Sequence, residues 1–359
     1  MAGTVLIETF MNASTESPGP IYAHWYPEVA RIVLVTTSFL TIVANLLVLI
    51  VFQYMKALEN MTGVFVKSLA VADLGVGVCV FAAVQSQWAE KWPHGTGMWS
   101  CKLMGYIMAM MVGGSILSLT CVSIDRYIAV IKPLKYRSIV TKRRARVYAV
   151  VVWVFVALIF LPSMFGWGGY VFEEYSDDCK KHFNQSLSMS FYIICILIVP
   201  AILISIYCYF HILRACLAQT RQMERLETLF HDGESQQDAT SRIYEKMLAK
   251  IFLIVIGAFY LSWIPFVIKK IIELAIDVSI HPAVSFFTAW LGFLNSFLNC
   301  IIYIICHRSF REGLHLLLKA MWQGITSVCK ISKDRCFSQR RERSQSQVMQ
   351  LREFSTTEC

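Results

Sequence analysis

Three places along the chain hold residues whose types and spacing suit chemistry. At Asp125-Arg126-Tyr127 an acid and a guanidinium sit side by side where an uncharged run of 22 residues, Leu103–Ile124, ends. A planar guanidinium pairs with carboxylates bidentately. Arg126 therefore suits a latch, held by Asp125 beside it and by Glu245 at the start of another apolar run. The alternative is a pair of ordinary interfacial charges reaching water. The second place is Asp73, inside Val64–Trp88, where the other charged residue is Lys67 near one end. An acid in hydrocarbon is costly and is read as functional by default. The third is Lys269, Lys270 and Glu273, just past the uncharged run Ile251–Ile268. A lysine there suits an acidic lipid or small acid, against the alternative that these side chains extend to water. None of this reads as a catalytic set, and no catalytic residue is expected.

The elements that must position these residues are membrane spans. The chain of 359 residues is 56% hydrophobic and only 16% charged, against ~25% charged in an ordinary soluble domain. Ile32–Tyr54, Leu103–Ile124, Val147–Phe172, Leu187–Phe210 and Ala283–Cys306 are uncharged and each at least 22 residues long. About 20 residues at ~1.5 Å per residue cross a ~30 Å hydrocarbon core. Runs this long are helices, not the ~10-residue alternating strands of a barrel. With the stretches around Asp73 and Ile251–Ile268, they predict an all-α membrane protein of seven spans. Their bounds are near 30–54, 63–88, 101–131, 145–167, 187–217, 243–272 and 282–306.

Basic residues set the expected orientation. Ile128–Val147 holds seven Lys/Arg and no acid, and Lys330–Cys359 holds seven more. The connection after the fourth span carries Glu173, Glu174, Asp177 and Asp178. The positive-inside rule then places the N-terminus outside and the C-terminus in the cytosol. The net charge of +9 reads as loops facing acidic lipid headgroups, not as nucleic-acid binding. No basic leader precedes a cleavage site, so the first span is expected to act as signal-anchor. Of 12 cysteines, Cys101 and Cys179 face the oxidising side and are expected to be bridged. Asn12 and Asn184 lie in glycosylation sequons on that side.

The outer tail covers residues 1–27 and the bundle 28–306. An amphipathic stretch, 308–322, is expected to lie in the interface with Phe310, Leu314, Leu317, Leu318 and Met321 on one face. A polar cytosolic tail, 323–359, follows and is expected to be disordered. Cys329 and Cys336 sit there in a basic setting, either palmitoylated or free thiols.

Motifs on each span resemble those of rhodopsin-like (class A) G-protein-coupled receptors, across about residues 30–320. They are Asn45, "LAVADL" with Asp73, Cys101 with Asp125-Arg126-Tyr127, Trp153, Pro200, "FYLSWIP", and "NSFLNCIIY". The finer likeness is to orphan receptors near the amine branch. The resemblance implies a sodium ion held by Asp73 with Ser115, Asn295, Ser296 and Asn299; the alternative is a neutral Asp73 bonded to Asn299. It implies a relay through Trp263, Phe259, Ile116, Pro200 and Pro265, and a coupling switch of Asp125, Arg126, Tyr127, Glu245, Tyr209 and Tyr303. It also implies a ligand pocket lined by Met108, Met111, Val112, Phe266, Lys269, Trp290 and Phe293.

Three departures stand out. The usual proline of the seventh span is Cys300, the usual Cys-Trp-x-Pro begins at Ser262, and Tyr209 comes one residue late after Pro200. That last offset leaves Tyr209 either brought inward by a local bulge or not facing inward. Met108 stands where amine receptors carry an aspartate, and the seventh span has no lysine for a retinal Schiff base. The resemblance thus implies a plasma-membrane receptor that passes an extracellular signal to a heterotrimeric G protein. Its tail would engage a receptor kinase and arrestin, and its ligand, a small molecule or lipid, is unidentified. The alternatives are a ligand-independent or heteromer-forming receptor and, less consistent with a single buried acid, a transporter or channel.

Overall fold

The computed structural model describes residues 26–55, 61–88, 97–167, 170–173, 178–181, 186–227, 236–276, 280–320 and 322–323. Among the described residues, seven helices are long and apolar enough to cross a membrane. The first three spans are Tyr26–Tyr54, Met61–Trp88 and Gly97–Ile131, and the fourth is Lys142–Phe160, prolonged by a tighter turn, Leu161–Phe165. The fifth is composite: Ser186–Ile193, a wide turn Ile194–Ile198, then Val199–Glu227. The sixth is Gln236–Ile276 and the seventh Pro282–Cys306.

Local chemistry sets the ends. Thr141 caps the fourth span by accepting the Arg144 backbone N–H at 3.3 Å. His281 Nδ1 accepts the Ala283 N–H at 3.2 Å, and Pro282 follows it at the first helical position, where a missing N–H costs nothing. Within the spans, Ser38 and Thr41 donate to carbonyls one turn back, which removes their cost in an apolar setting.

Two features go beyond the expected seven spans. A short helix, Pro133–Ile139, follows the third span. A two-stranded antiparallel hairpin, β1 (Tyr170–Glu173) with β2 (Asp178–Lys181), pairs Phe172 with Cys179. The sixth span also begins seven residues before the expected 243, because the polar stretch from Gln236 is helical too.

Interspan contacts combine close packing with a few polar ties. Trp153 donates its indole N–H to Ser68 Oγ at 3.1 Å, and Ser68 lies 2.9 Å from Ser118 Oγ, joining the second, third and fourth spans. Gly114 lets that indole approach; a Cβ there would meet its ring at 3.1 Å. Asn45 Nδ2 donates to the Ser296 carbonyl at 3.0 Å, joining the first span to the seventh. Ala109, Val156, Phe160, Ile193 and Leu197 form an apolar cluster between the third, fourth and fifth spans.

The described residues from Ser309 onward belong to a second unit. A helix covers 308–320, in which Phe310 is buried and Leu318 is 53% exposed. Met321, Cys329, Cys336, Asn12 and Asn184 lie outside the described residues.

Candidate functional site

Asp125 and Arg126 lie on the third span, 2% and 1% exposed. Arg126 Nε and Nη2 donate to Asp125 Oδ2 at 3.2 and 2.7 Å. Thr62, at the start of the second span, donates to the same oxygen at 2.7 Å and itself accepts from Arg126 Nη2. Tyr136, on the short helix, donates to Asp125 Oδ1 at 2.8 Å and accepts from Arg126 Nη2 at 3.3 Å. Burial, and then the negative charge of Asp125, push the Tyr136 phenol above its ordinary pKa. Arg126 is therefore neither in water nor isolated. It is built into a network spanning two helices and the segment beyond them. Glu245 sits on the sixth span with its side chain outside the described residues.

Tyr127 turns away from this network and packs by its ring against Tyr207 and His211, at 5.8 and 6.0 Å. Tyr209 faces inward and is 9% exposed. No bulge between Pro200 and Tyr209 is needed: that stretch is regular helix, and the wide turn precedes Pro200. The inward face simply runs through Ala201, Ser205, Cys208 and Ile212, with Tyr209 beside it. Tyr303 is buried between the rings of Phe52 and Phe252, at 6.5 and 6.4 Å.

The second cluster surrounds Asp73, which is 0% exposed. Ser115 and Ser296 donate to its Oδ1 at 3.2 and 2.9 Å, and Asn299 Nδ2 to its Oδ2 at 2.7 Å. Asn295 Oδ1 and Asn299 Oδ1 are buried with no hydrogen-bond partner. Four oxygen-bearing side chains around one carboxylate are a donor set that fits a hard cation. A cavity of about 10 Å³, room for one water-sized sphere, opens between Ser115, Asn295, Ser296, Phe259 and Trp263. Trp263 forms its upper wall, in tilted contact with Phe259 at 6.2 Å and edge contact with Phe266 at 5.7 Å. Gly292 makes that position possible: a Cβ there would lie 3.0 Å from the indole. Pro265 lies inside the sixth span just beyond. Ile116 is buried and Pro200 half-buried.

Towards the other end, Met108, Val112, Phe266 and Phe293 are buried, Met111 and Trp290 half-buried. Lys269 does not extend to water. Its ammonium is 2.9 Å from Glu273, which Lys270 also meets at 3.0 Å. Cys101 is buried and disulfide-bonded, and Cys179 lies on β2 with its side chain outside the described residues.

The family model described as "7 transmembrane receptor (rhodopsin family)" matches residues 44–303. This chain belongs to the rhodopsin family of seven-transmembrane receptors. It is 34% identical over 315 residues to G-protein coupled receptor 52 of Bos taurus, covering 85% of this chain and 83% of that one. It is 32% identical over 302 residues to probable G-protein coupled receptor 21 of Homo sapiens, covering 82% and 85%. The crystal structure of squid rhodopsin shares its fold, with a TM-score of 0.71 at 22% identity, over 82% of this chain and 85% of that one. The rhodopsin-family chain is thus a multi-pass membrane protein and a receptor, not an enzyme.

Sequence reasoning missed three residues at the Arg126 end of this rhodopsin-family bundle. Thr62 and Tyr136 complete the Asp125 network, and Leu134 is 99% exposed on the short helix. The basic stretch after Arg126 reads as an ordinary loop. Pro133, which sits at the start of the short helix, was the available signal for it.

Proposed function

We propose that the chain carries an extracellular signal across the plasma membrane to a heterotrimeric G protein, with the Arg126 end in the cytosol. The observation that carries this reading is the buried Arg126 network. A guanidinium held by Asp125, Thr62 and Tyr136 is satisfied in one packing and available to a partner only if the surrounding helices rearrange. Outward movement of the sixth span, hinged at Pro265, would open that end, exchanging one packing for another without chemistry. Leu134 would offer the partner an apolar contact beside it. Phosphorylation of the Ser/Thr-rich tail by a receptor kinase would recruit arrestin.

Asp73, Ser115, Asn295, Ser296 and Asn299 would hold a sodium ion that favours one packing over the other. A disulfide from Cys101 to Cys179 would fasten the β-hairpin over the outer end, and Asn12 and Asn184 would carry glycans there.

A second reading, a ligand-independent receptor, is favoured by one observation. Met108, Phe266 and Phe293 are each no more than 2% exposed, so these pocket positions are filled by their own side chains. Lys269 is likewise committed to Glu273. The test is G-protein activation in cells without added ligand, across all four α classes, comparing wild type with Arg126→Ala at equal surface expression. A basal signal lost in the variant supports coupling and the ligand-independent form. A basal signal equal in both would sink the role of Arg126.

A further inference from the structure

Tyr127 and its neighbours lie outside the Arg126 hydrogen-bond network. They form an aromatic and basic patch on the outer flank of the third and fifth spans. The Tyr207 and His211 rings meet in a tilted contact at 4.5 Å, and both meet the Tyr127 ring, at 5.8 and 6.0 Å. Phe210 packs its edge on His211 at 5.6 Å, and the Arg214 guanidinium lies 5.3 Å over the Phe210 ring. Lys132, an exposed residue, lies just past the third span, five residues after Tyr127. Tyr207 and Phe210 are each 54% exposed, so the patch opens outward to lipid rather than into the bundle.

Its depth is informative. The uncharged run of the fifth span ends at Phe210 and the apolar stretch of the third at Ile131. Lys132, His211 and Arg214 are the first basic side chains past these ends, where a span meets the headgroups. Along the same flank towards the membrane interior, Leu203 and Ile206 are each 60% exposed, an apolar track leading away from the basic end. Asp125, the nearest acid on the third span, is turned inward to Thr62, Arg126 and Tyr136. The patch thus combines two cations, an imidazole and two phenol hydroxyls at headgroup depth above an apolar track.

We propose that this patch binds one anionic phospholipid, its phosphate between Lys132, His211 and Arg214 and an acyl chain along Leu203 and Ile206. A phosphate accepts from ammonium, guanidinium, imidazole and phenol donors alike, and arginine is well matched to it. The charge complementarity selects an anionic over a zwitterionic headgroup, and the apolar track selects a lipid over free phosphate. The site abuts Tyr127, next to Arg126, so occupancy would stiffen the third and fifth spans beside the switch. The proposal rests on the reading that this end faces the cytosolic leaflet, where acidic lipids concentrate.

The experiment is native mass spectrometry of the full chain released from nanodiscs of phosphatidylcholine mixed with phosphatidylglycerol. Nanodiscs offer both leaflets, so the binding result is independent of orientation and of G-protein coupling. Wild type is expected to retain one phosphatidylglycerol in preference to phosphatidylcholine. Lys132→Gln with Arg214→Gln should weaken retention by roughly fivefold per charge removed. Lys132→Arg with Arg214→Lys should restore it, which separates lost charge from lost fold. Arg143→Gln with Arg146→Gln, removing two charges elsewhere on the same end, should leave it unchanged. Equal retention in wild type and the Gln pair overturns the site, as does an equal loss in the Arg143/Arg146 pair, which would mark general attraction to a basic face. Displacement of the lipid by millimolar inorganic phosphate alone would also overturn it, pointing to free phosphate. So would loss of retention accompanied by loss of a dimer, pointing to a second copy of the chain.

Discussion

Among the described residues two aspartates are buried, Asp125 and Asp73, and their charges are handled in opposite ways. Asp125 has a guanidinium at 2.7 Å, a threonine hydroxyl at 2.7 Å and a phenol at 2.8 Å, so its charge is balanced by its own protein. Asp73 has two serine hydroxyls and an asparagine amide, all neutral, and two further amide oxygens beside it lack donors. Hydrogen bonds alone do not offset the cost of burying a carboxylate's charge. One cluster is thus complete as a closed lock. The other is complete only with a proton or a cation added. Under the proposed function, the first network is the one to be pulled apart and the second is the one to take a small ion.

The largest expected effect comes from breaking the balanced cluster. Arg126→Ala leaves Asp125 buried without its cation, a loss of roughly 3–5 kcal/mol for a buried pair. The purified variant should unfold at clearly lower temperature than wild type, besides losing its signal. An unchanged thermal midpoint would mean that the pair contributes nothing to the resting packing. Next is Tyr136→Phe, which removes its hydrogen bond to the Asp125 carboxylate and the long one it accepts from Arg126, while Arg126 and Thr62 still bond Asp125, about 1.5–3 kcal/mol. The same residue offers a sign test. Its phenol is pushed above the ordinary value by burial and by Asp125, so the neutral form is favoured in the fold. Raising the pH through the range where free tyrosine ionises should therefore produce no tyrosinate absorbance from Tyr136. A wild-type minus Tyr136→Phe difference spectrum that grows near pH 10 would show the phenol free of the network.

These contrasts explain what could be read from the sequence. The seven spans were legible because hydrocarbon excludes charge over about 20 residues, a constraint written in the chain itself. Asp73, Asn299 and Arg126 were legible through the motifs around them. Thr62 and Tyr136 were not, since each is an ordinary polar residue in its own segment. Their partnership with Asp125 arises only when the start of the second span and the helix after the third meet in space. The inward turn of Tyr209 was left open for the same reason: its facing depends on which stripe of the fifth span the bundle buries, and that stripe runs through Ala201, Ser205 and Cys208. The pairing of Lys269 with Glu273 was missed although both lie on one helix at i and i+4. Sequence spacing permits that contact but does not choose it over water.

The roof of the Asp73 cavity gives a smaller effect. Gly292→Ala places a methyl 3.0 Å from the Trp263 ring, so the indole or the seventh span must shift. Overpacking of this kind costs about 1–2 kcal/mol. The variant should lose thermal stability and change the tryptophan emission spectrum, and an unaltered spectrum would show that the ring has room to spare.

The smallest effect is the most discriminating between the two aspartates. If Asp73 lacks a charge partner and its neighbours supply free oxygens, sodium should bind the folded protein and raise its stability. At several times its dissociation constant, a single bound ion contributes about 1 kcal/mol. Replacing sodium chloride by choline chloride at equal ionic strength should then lower the wild-type thermal midpoint by a small but measurable amount. Asp73→Asn removes the carboxylate charge while keeping the side chain's size, and its midpoint should be the same in both salts. Asn295→Ala, which deletes a partnerless oxygen without touching a hydrogen bond to Asp73, should weaken the salt effect while leaving the choline value near wild type. Asp125→Asn should leave the sodium dependence intact, because that carboxylate already has its cation in Arg126. A salt effect that survives Asp73→Asn and vanishes with Asp125→Asn would reverse the assignment and place the ion-sensitive charge at the lock.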